Sequence, residues 1–152
     1  MTKFEIVPAK KYHCGQIVRS LRKEHKSIIL GLGFNGHQEL SDCFDNSSIC
    51  RSWLIDEKLA GLGGVSGPIS GMFGQIWLAL TQDALKYPIE MVKEARRQMD
   101  DFMILKRELV TTILDGDATS RRFAFFLGFT EHEPIIRVPI GAGMATIMRK
   151  VA

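Results

Sequence analysis

Cysteine is scarce and badly spaced for covalent use: the chain has 3 in 152 residues, at Cys14, Cys43 and Cys50, with no C-x-x-C pair. That excludes a disulfide framework, and the three read as reduced, partly buried thiols, with nothing in sequence that assigns any of them a histidine as catalytic partner. The four histidines, His13, His25, His37 and His132, lack H-E-x-x-H or comparable spacing. They read as solvent-facing or capping side chains, and no metal is expected. No apolar run approaches the roughly 18 residues of a membrane span, and the opening MTKFEIVPAKK has no apolar signal core. The expectation is a cytoplasmic protein with no membrane partner. Charge of one sign is also missing: the net charge is +3, and Arg19–Lys26, Arg96-Arg97, Lys106-Arg107 and Arg121-Arg122 are interleaved with acids. Such scattered charge is a solvated face, not the dense stripe of a nucleic-acid groove. Repeats, linkers and low-complexity tracts are absent as well.

What is present suffices for one domain over residues 1–152, with 45% apolar and 24% charged residues. Phe4–Val7 alternates and is β-rich. Pro8 then stops pairing and opens a helix to about Arg22, with Cys14, Ile17, Val18 and Leu21 inward. Glu24–Phe34 stays open between a helix end and a loop, and a short helix around His37–Phe44 carries Leu40, Cys43 and Phe44 on one side. Ile49–Ile55 and Leu59–Val65 read as a hairpin around Asp56-Glu57-Lys58, and Gln75–Leu80 (QIWLAL) as a third strand. Gly67–Gly74 is a glycine-rich loop, and the longer run Gly61–Gly74 (GLGGVSGPISGMFG) lacks the Lys-Ser/Thr ending of a phosphate loop and precedes a strand, so it reads as a mobile hairpin loop. Thr81 can cap the next helical turn. Pro88 suits the start of a long helix to about Arg107, with Ile89, Val92, Ala95, Met99, Phe102 and Met103 as its apolar stripe. Two last strands, roughly Glu131–Val138 and Met144–Lys150, flank a turn at Pro139–Gly143.

The most informative stretch is Leu109–Phe129, LVTTILDGDATSRRFAFFLGF. Its β-branched start reads as a buried strand, and Asp115 or Asp117 can accept the orphan N–H groups of the adjoining helix. Phe123, Phe126 and Leu127 share a face, Gly128 supplies a left-handed C′ residue, and Phe129 folds back on Phe123. Three phenylalanines, Phe123, Phe125 and Phe126, cover both sides of this short helix, so at least one is expected at the surface. Trp53 and Trp77 lie on strands and read as core aromatics.

The order β–α–α–β–β–β–α–β–α–β–β predicts an α/β (α+β) fold. The sheet is mixed and mostly antiparallel, flanked by about four helices, with a right-handed parallel crossover at residues 75–114. This order, ending in A-x-x-x-x-F-x-x-x-LGF, resembles the GNAT (Gcn5-related N-acetyltransferase) acyl-CoA N-acyltransferase fold. WLIDEKLAGLGGV, IWLAL and TQDALKYPIEMVKEARRQMDDF leading into the LGF unit are in addition similar to a phage family. That family holds the internal virion protein A of short-tailed phages and related prophage proteins.

The GNAT resemblance implies that acetyl-CoA lies where strands Gln75–Leu80 and Leu109–Leu114 splay apart. Its pantetheine amides would pair along the edge Ile76, Trp77, Leu78, Ala79 and Leu80. Its pyrophosphate would rest on the next helix N-terminus, where R/Q-x-x-G-x-G/A lets backbone N–H groups approach the phosphates. This chain departs from that pattern. Thr81–Pro88 has no glycine, Pro88 removes a donor, and Asp83 adds negative charge. Each lost charge-assisted hydrogen bond costs about 1–3 kcal/mol. By the same alignment the tyrosine that protonates the departing thiolate falls at Ala124, and the helix-start asparagine falls at Asp117. The strand-four glutamate that acts as base falls at Gln75, which cannot take a proton.

Two main functional readings compete. In the first, the chain is a phage or prophage accessory protein with a degenerate site and no cofactor, made in the host cytoplasm and acting in virion morphogenesis or by binding a phage or host protein. In the second, it is a divergent N-acetyltransferase acting on an amine of a small molecule or protein. Lys86, Arg121 or Arg122 would then hold the pyrophosphate of acetyl-CoA, with Gln75 and His132 as the nearest catalytic candidates. Nucleic-acid binding through the basic patches is a third, weaker expectation.

Overall fold

A computed structural model describes residues 1–22, 36–68, 70–140 and 143–152. The strands are β1 (Phe4–Pro8), β2 (Ser47–Ile55), β3 (Lys58–Ser66), β4 (Phe73–Leu80), β5 (Glu108–Leu114), β6 (Thr130–Glu131), β7 (Arg137–Ile140) and β8 (Gly143–Val151). The helices are α1 (Lys11–Val18), α2 (Gly36–Asp45), α3 (Pro88–Leu105) and α4 (Ala118–Phe126), with a 3-10 turn at Asp83–Lys86. The strands form one sheet in the order β1-β2-β3-β4-β5-β8-β6, with β7 also on β8. Among the described strands only β4 and β5 run parallel, joined by α3. This is the mixed, mostly antiparallel architecture expected from the element order.

The sheet separates two helical layers. On one face α1 and α2 bury Cys14, Ile17 and Leu40 against Leu62 and Ala79. On the other, α3 and α4 bury Met99, Phe102, Ala124 and Leu127 against Leu109, Ile113 and Met148. Arg96 Nε donates to the Phe126 carbonyl at 3.2 Å and ties α3 to α4.

Several local expectations change. Pro8 stays in β1 opposite Arg51, and α1 starts only at Lys11. It ends at Val18, not near Arg22, because Leu21 pairs with Thr81 and the Arg22 N–H bonds the Leu80 carbonyl at 2.8 Å. Glu24–Phe34 lies outside the described residues. The β2–β3 turn needs only Asp56 and Glu57, both at positive φ (47° and 67°), so Lys58 already pairs with Ile55. Along α3 the buried spacing is Met91, Met99 and Phe102, and Ile89 is 65% exposed. Ile89 lies two residues, about 200° around the helix, from Met91. For the same reason Ala124 and Leu127 face inward on α4, while Phe126 is 59% exposed. The strand expected over Glu131–Val138 is interrupted between β6 and β7, where Pro134 has no ladder donor.

Between β3 and β4 the Lys106 ammonium donates to the Pro68 and Gly71 carbonyls, the latter at 2.8 Å. Lys106, read as a solvated surface charge, is only 2% exposed. β4 accordingly begins at Phe73, two residues earlier than the apolar run indicates.

Candidate functional site

β4 and β5 pair only at Phe73–Glu108, Gly74–Leu109 and Gln75–Val110, and then part. Beyond that point a cleft of about 420 Å³ opens between them, with Gln75, Ile76, Trp77 and Leu78 on one wall and Thr111–Ile113 on the other. Glu39 and Cys43 of α2 and Ser120 and Ala124 of α4 also line it. The Thr81 N–H points to β3, bonding the Ala60 carbonyl at 3.0 Å, while the Leu80 carbonyl points the opposite way to Arg22. Peptide groups alternate along a strand, so those of Ile76 and Leu78 face the gap as well. The splayed edge foreseen for residues 76–80 exists, but Ala79 and Leu80 have buried side chains in the two core layers, away from the cleft.

The far end of this gap is closed by the chain itself. Leu21 and Arg22 lie along the end of β4, and the Arg22 guanidinium crosses to the start of α4. Its Nη2 donates to Asp117 Oδ1 at 3.2 Å and its Nη1 to Ser120 Oγ at 2.8 Å. Arg22 is 2% exposed and Asp117 5%. Asp117, not Asp115, is the N-cap of α4, accepting from the Ser120 N–H at 3.1 Å. Burial raises its carboxyl, but the hydrogen bonds from Ser120 and Arg22 outweigh that and hold it below the usual carboxylate range. At the other end of α4, the Gly128 N–H bonds Phe125 O and the Phe129 N–H bonds Ala124 O, both at 3.0 Å, with Gly128 at φ 93°. This is the Schellman closure that the LGF unit predicts.

Several amides of the turn that would meet a pyrophosphate are taken within it. The Ala84 N–H donates to Thr81 Oγ1 at 3.3 Å, Leu85 to the Gln82 carbonyl at 3.2 Å and Tyr87 to the Ala84 carbonyl at 3.1 Å. Thr81 thus caps the 3-10 turn, Pro88 at N1 has no donor, and Glu90 adds an acid to the first turn of α3. These residues fit a diphosphate poorly: the amides of Ala84, Leu85 and Tyr87 are occupied, Pro88 has none, and Asp83 and Glu90 add negative charge.

The candidate side chains scatter. Lys86 is exposed and pairs with Asp83 at 3.0 Å, which raises its ammonium's affinity for its proton. Arg121 bonds Glu131 at 2.8 Å and lies 3.8 Å from Asp115, while Arg122 is simply exposed. His132 is not on the cleft wall, and its Nδ1 meets the Pro134 carbonyl at 3.1 Å. His13 is a capping histidine: its Nδ1 accepts the Lys10 N–H at 3.0 Å and lies 2.8 Å from Ser52 Oγ, and burial lowers its basicity. His25 lies outside the described residues. Burial pushes the Cys43 thiol to about 11 and Cys50 to about 12, so neither is an activated nucleophile. Among the described residues no group of side chains could hold a metal ion, and no helix is long and apolar enough to cross a membrane.

Two features of the site carry no signal in the sequence pattern. Arg22 meets Asp117 across 95 positions, a distance no local pattern bridges. Glu39, in the first turn of α2, lines the cleft with its carboxyl raised by burial and by Asp42.

No family model and no curated protein matches the chain. Solved structures do. The acetyltransferase of GNAT family from Streptococcus pneumoniae superposes with a TM-score of 0.64 at 12% identity, over 99% of this chain and 100% of that one. The ribosomal-protein-S18-alanine N-acetyltransferase from Escherichia coli gives 0.69 at 15% identity, over 98% and 94%. The spermidine N-acetyltransferase from Vibrio cholerae, solved with CoA and spermine, gives 0.69 at 9% identity, over 97% and 95%. None of these supports the phage resemblance. At such identities the likeness concerns architecture, and it establishes that this chain has the GNAT acyltransferase fold.

Proposed function

We propose that this GNAT-fold chain works by binding a protein partner and does not move acetyl groups from CoA. The observation that carries this reading is the Leu21–Arg22 segment, which lies along the end of β4 and pairs with Asp117 across the slot a pantetheine arm would need. The occupied amides of Ala84, Leu85 and Tyr87 and the donor-less Pro88 support it from the phosphate side. Phe125 and Phe126, 50% and 59% exposed, offer α4 as a contact surface. The sequence resemblance to internal virion proteins supports a phage or host protein as partner, met in the host cytoplasm or during virion morphogenesis. Thermal melts with millimolar acetyl-CoA test the reading, because a micromolar binder would gain about 4 kcal/mol. No change in melting temperature is expected, and a clear rise would refute it.

A divergent N-acetyltransferase is the second reading. The structural likeness by itself favours it, as do the open edge at Ile76 and Leu78 and the 420 Å³ cleft. In that case Glu39, not Gln75, is the proton acceptor for an amine, since burial has already raised its affinity for a proton. Incubation with labelled acetyl-CoA and a broad amine panel would transfer label. A blank panel would remove this reading.

A further inference from the structure

The outer surface where α3 meets α4 joins apolar and cationic side chains that the fold itself does not use. Each helix follows one of the parallel strands β4 and β5, so the two run in the same direction. Arg96 and Phe126 each lie eight residues past their helix start, and Arg96 Nε donates to the Phe126 carbonyl at 3.2 Å, which sets the helices level there. Arg122 stands one turn before Phe126 on α4, beside both Phe125 and Phe126, and level with Val92 of α3. Around α3, at about 100° per residue, Ile89, Val92 and Lys93 fall within about 60° of Arg96. Phe125, Phe126 and Ile89 are exposed and Val92 is half-buried, so an apolar strip lies among these cations.

The charge on this strip is nearly of one sign. Lys93, Arg96 and Arg122 are exposed and have no acid partner among the described residues. Most acids of α3 are turned away: Glu90, Glu94 and Asp101 lie about 120–160° around the helix from Arg96. There Glu94 pairs with Arg97 at 2.6 Å and Asp101 with Arg51 at 3.2 Å. Of the α3 acids only Asp100, one turn beyond Arg96, falls on the strip, and α4 adds none.

We propose, resting on the protein-binding reading above, that this α3–α4 surface docks an acidic segment of the partner protein, in which carboxylates flank a large apolar anchor packed on Phe125 and Phe126. A second copy of this chain fits poorly, because a two-fold contact would set the same cations against each other. A nucleic-acid strand fits poorly too. Three cations with an acid among them fall short of a dense basic track, and Ile89 and Val92 offer bases no ring to stack on.

A displayed library of random peptides, about twelve residues long, is selected on the full chain, and the enriched peptides are synthesised and titrated by fluorescence anisotropy. Peptides with Asp and Glu around Leu, Phe or Trp are expected, and their affinity should fall several-fold between about 50 and 500 mM salt. Phe126→Ser and Arg122→Glu should each weaken binding about tenfold or more. Ile104→Ser, at an exposed apolar position about two turns beyond Arg96, should leave it unchanged. No enrichment, a neutral or basic consensus, or affinity indifferent to Phe126→Ser and Arg122→Glu would each overturn the proposal. So would binding of oligo-dT, or a dimer in sedimentation, that the same two variants abolish, since either assigns the surface to another occupant. Should Phe126→Ser fail to fold, Arg122→Glu and the salt series still decide. Peptides that bind elsewhere on the chain sink this surface and leave the protein-binding reading standing, whereas thermal stabilisation by acetyl-CoA strikes that reading itself.

Discussion

Two strand-to-helix turns leave the same end of the sheet, one after β4 and one after β5, and they treat their helix N-termini differently. After β5, the Asp117 carboxylate accepts the Ser120 N–H and then holds a buried arginine from the other side of the gap. After β4, Asp83–Lys86 form a 3-10 turn in which the Ala84 N–H bonds Thr81 Oγ1 and the Leu85 and Tyr87 N–H groups bond carbonyls of the turn, and α3 begins at a proline with no side-chain cap. Each helix start is a potential anion site by its dipole. In one the anion is a residue of the chain, and in the other several donors of the preceding turn are taken and Pro88 supplies none. The dipole alone therefore does not make a cofactor cradle; free N–H groups and local charge decide.

The largest effect should come from breaking the β5 turn. Asp117→Ala leaves Arg22 buried without its counter-charge and removes a helix cap, and we expect a loss of about 3–5 kcal/mol by urea unfolding. Replacing both partners with apolar residues (Arg22→Met with Asp117→Leu) should cost clearly less than the single change. The pH dependence rests on the same pair. The folded Asp117 carboxyl lies below its ordinary value of 3.8, so its contribution is complete above that value and is lost as pH falls through the folded one. Acid titration of stability in Asp117→Asn should lack this component below about 3.8.

At the C-terminal end of the same helix, Gly128→Ala forces a side chain onto φ 93° with Lys150 Nζ 3.0 Å from the new Cβ. A loss of about 1–2 kcal/mol in the same unfolding assay is expected. The β4 turn should yield least. Thr81→Ala removes the acceptor of the Ala84 N–H at a cost of about 1 kcal/mol. Because it frees one amide while Pro88 and Asp83 remain, it should not create acetyl-CoA affinity by calorimetry. Measurable binding would show that this single bond is what separates the two turns.

Much of the scaffold is legible in the sequence because its signals are local. Asp117 three residues before Ser120, and Leu-Gly-Phe after a short amphipathic run, specify both ends of α4 through backbone hydrogen bonds that span at most five positions. The same locality limits the reading of helix faces. Ile89 and Phe126 are as apolar as Met91 and Leu127, and only the placement of each helix on the sheet turns them outward. The early end of α1 is not legible, since the competing bonds come from Leu80 and Thr81 about 60 positions away. Within the cleft, Gln75, Ile76, Trp77 and Leu78 are foreseeable from the strand pattern, whereas Arg22 and Glu39 enter from the opposite layer.

By itself the sequence determined the order of elements, the parallel step from β4 to β5, the closure of α4 and the loss of a glycine cradle after β4, since each depends on residue type at short range. Only the tertiary structure decided what fills the gap between those strands. A buried guanidinium finds its carboxylate through packing of two layers on one sheet, and no spacing along the chain encodes that meeting.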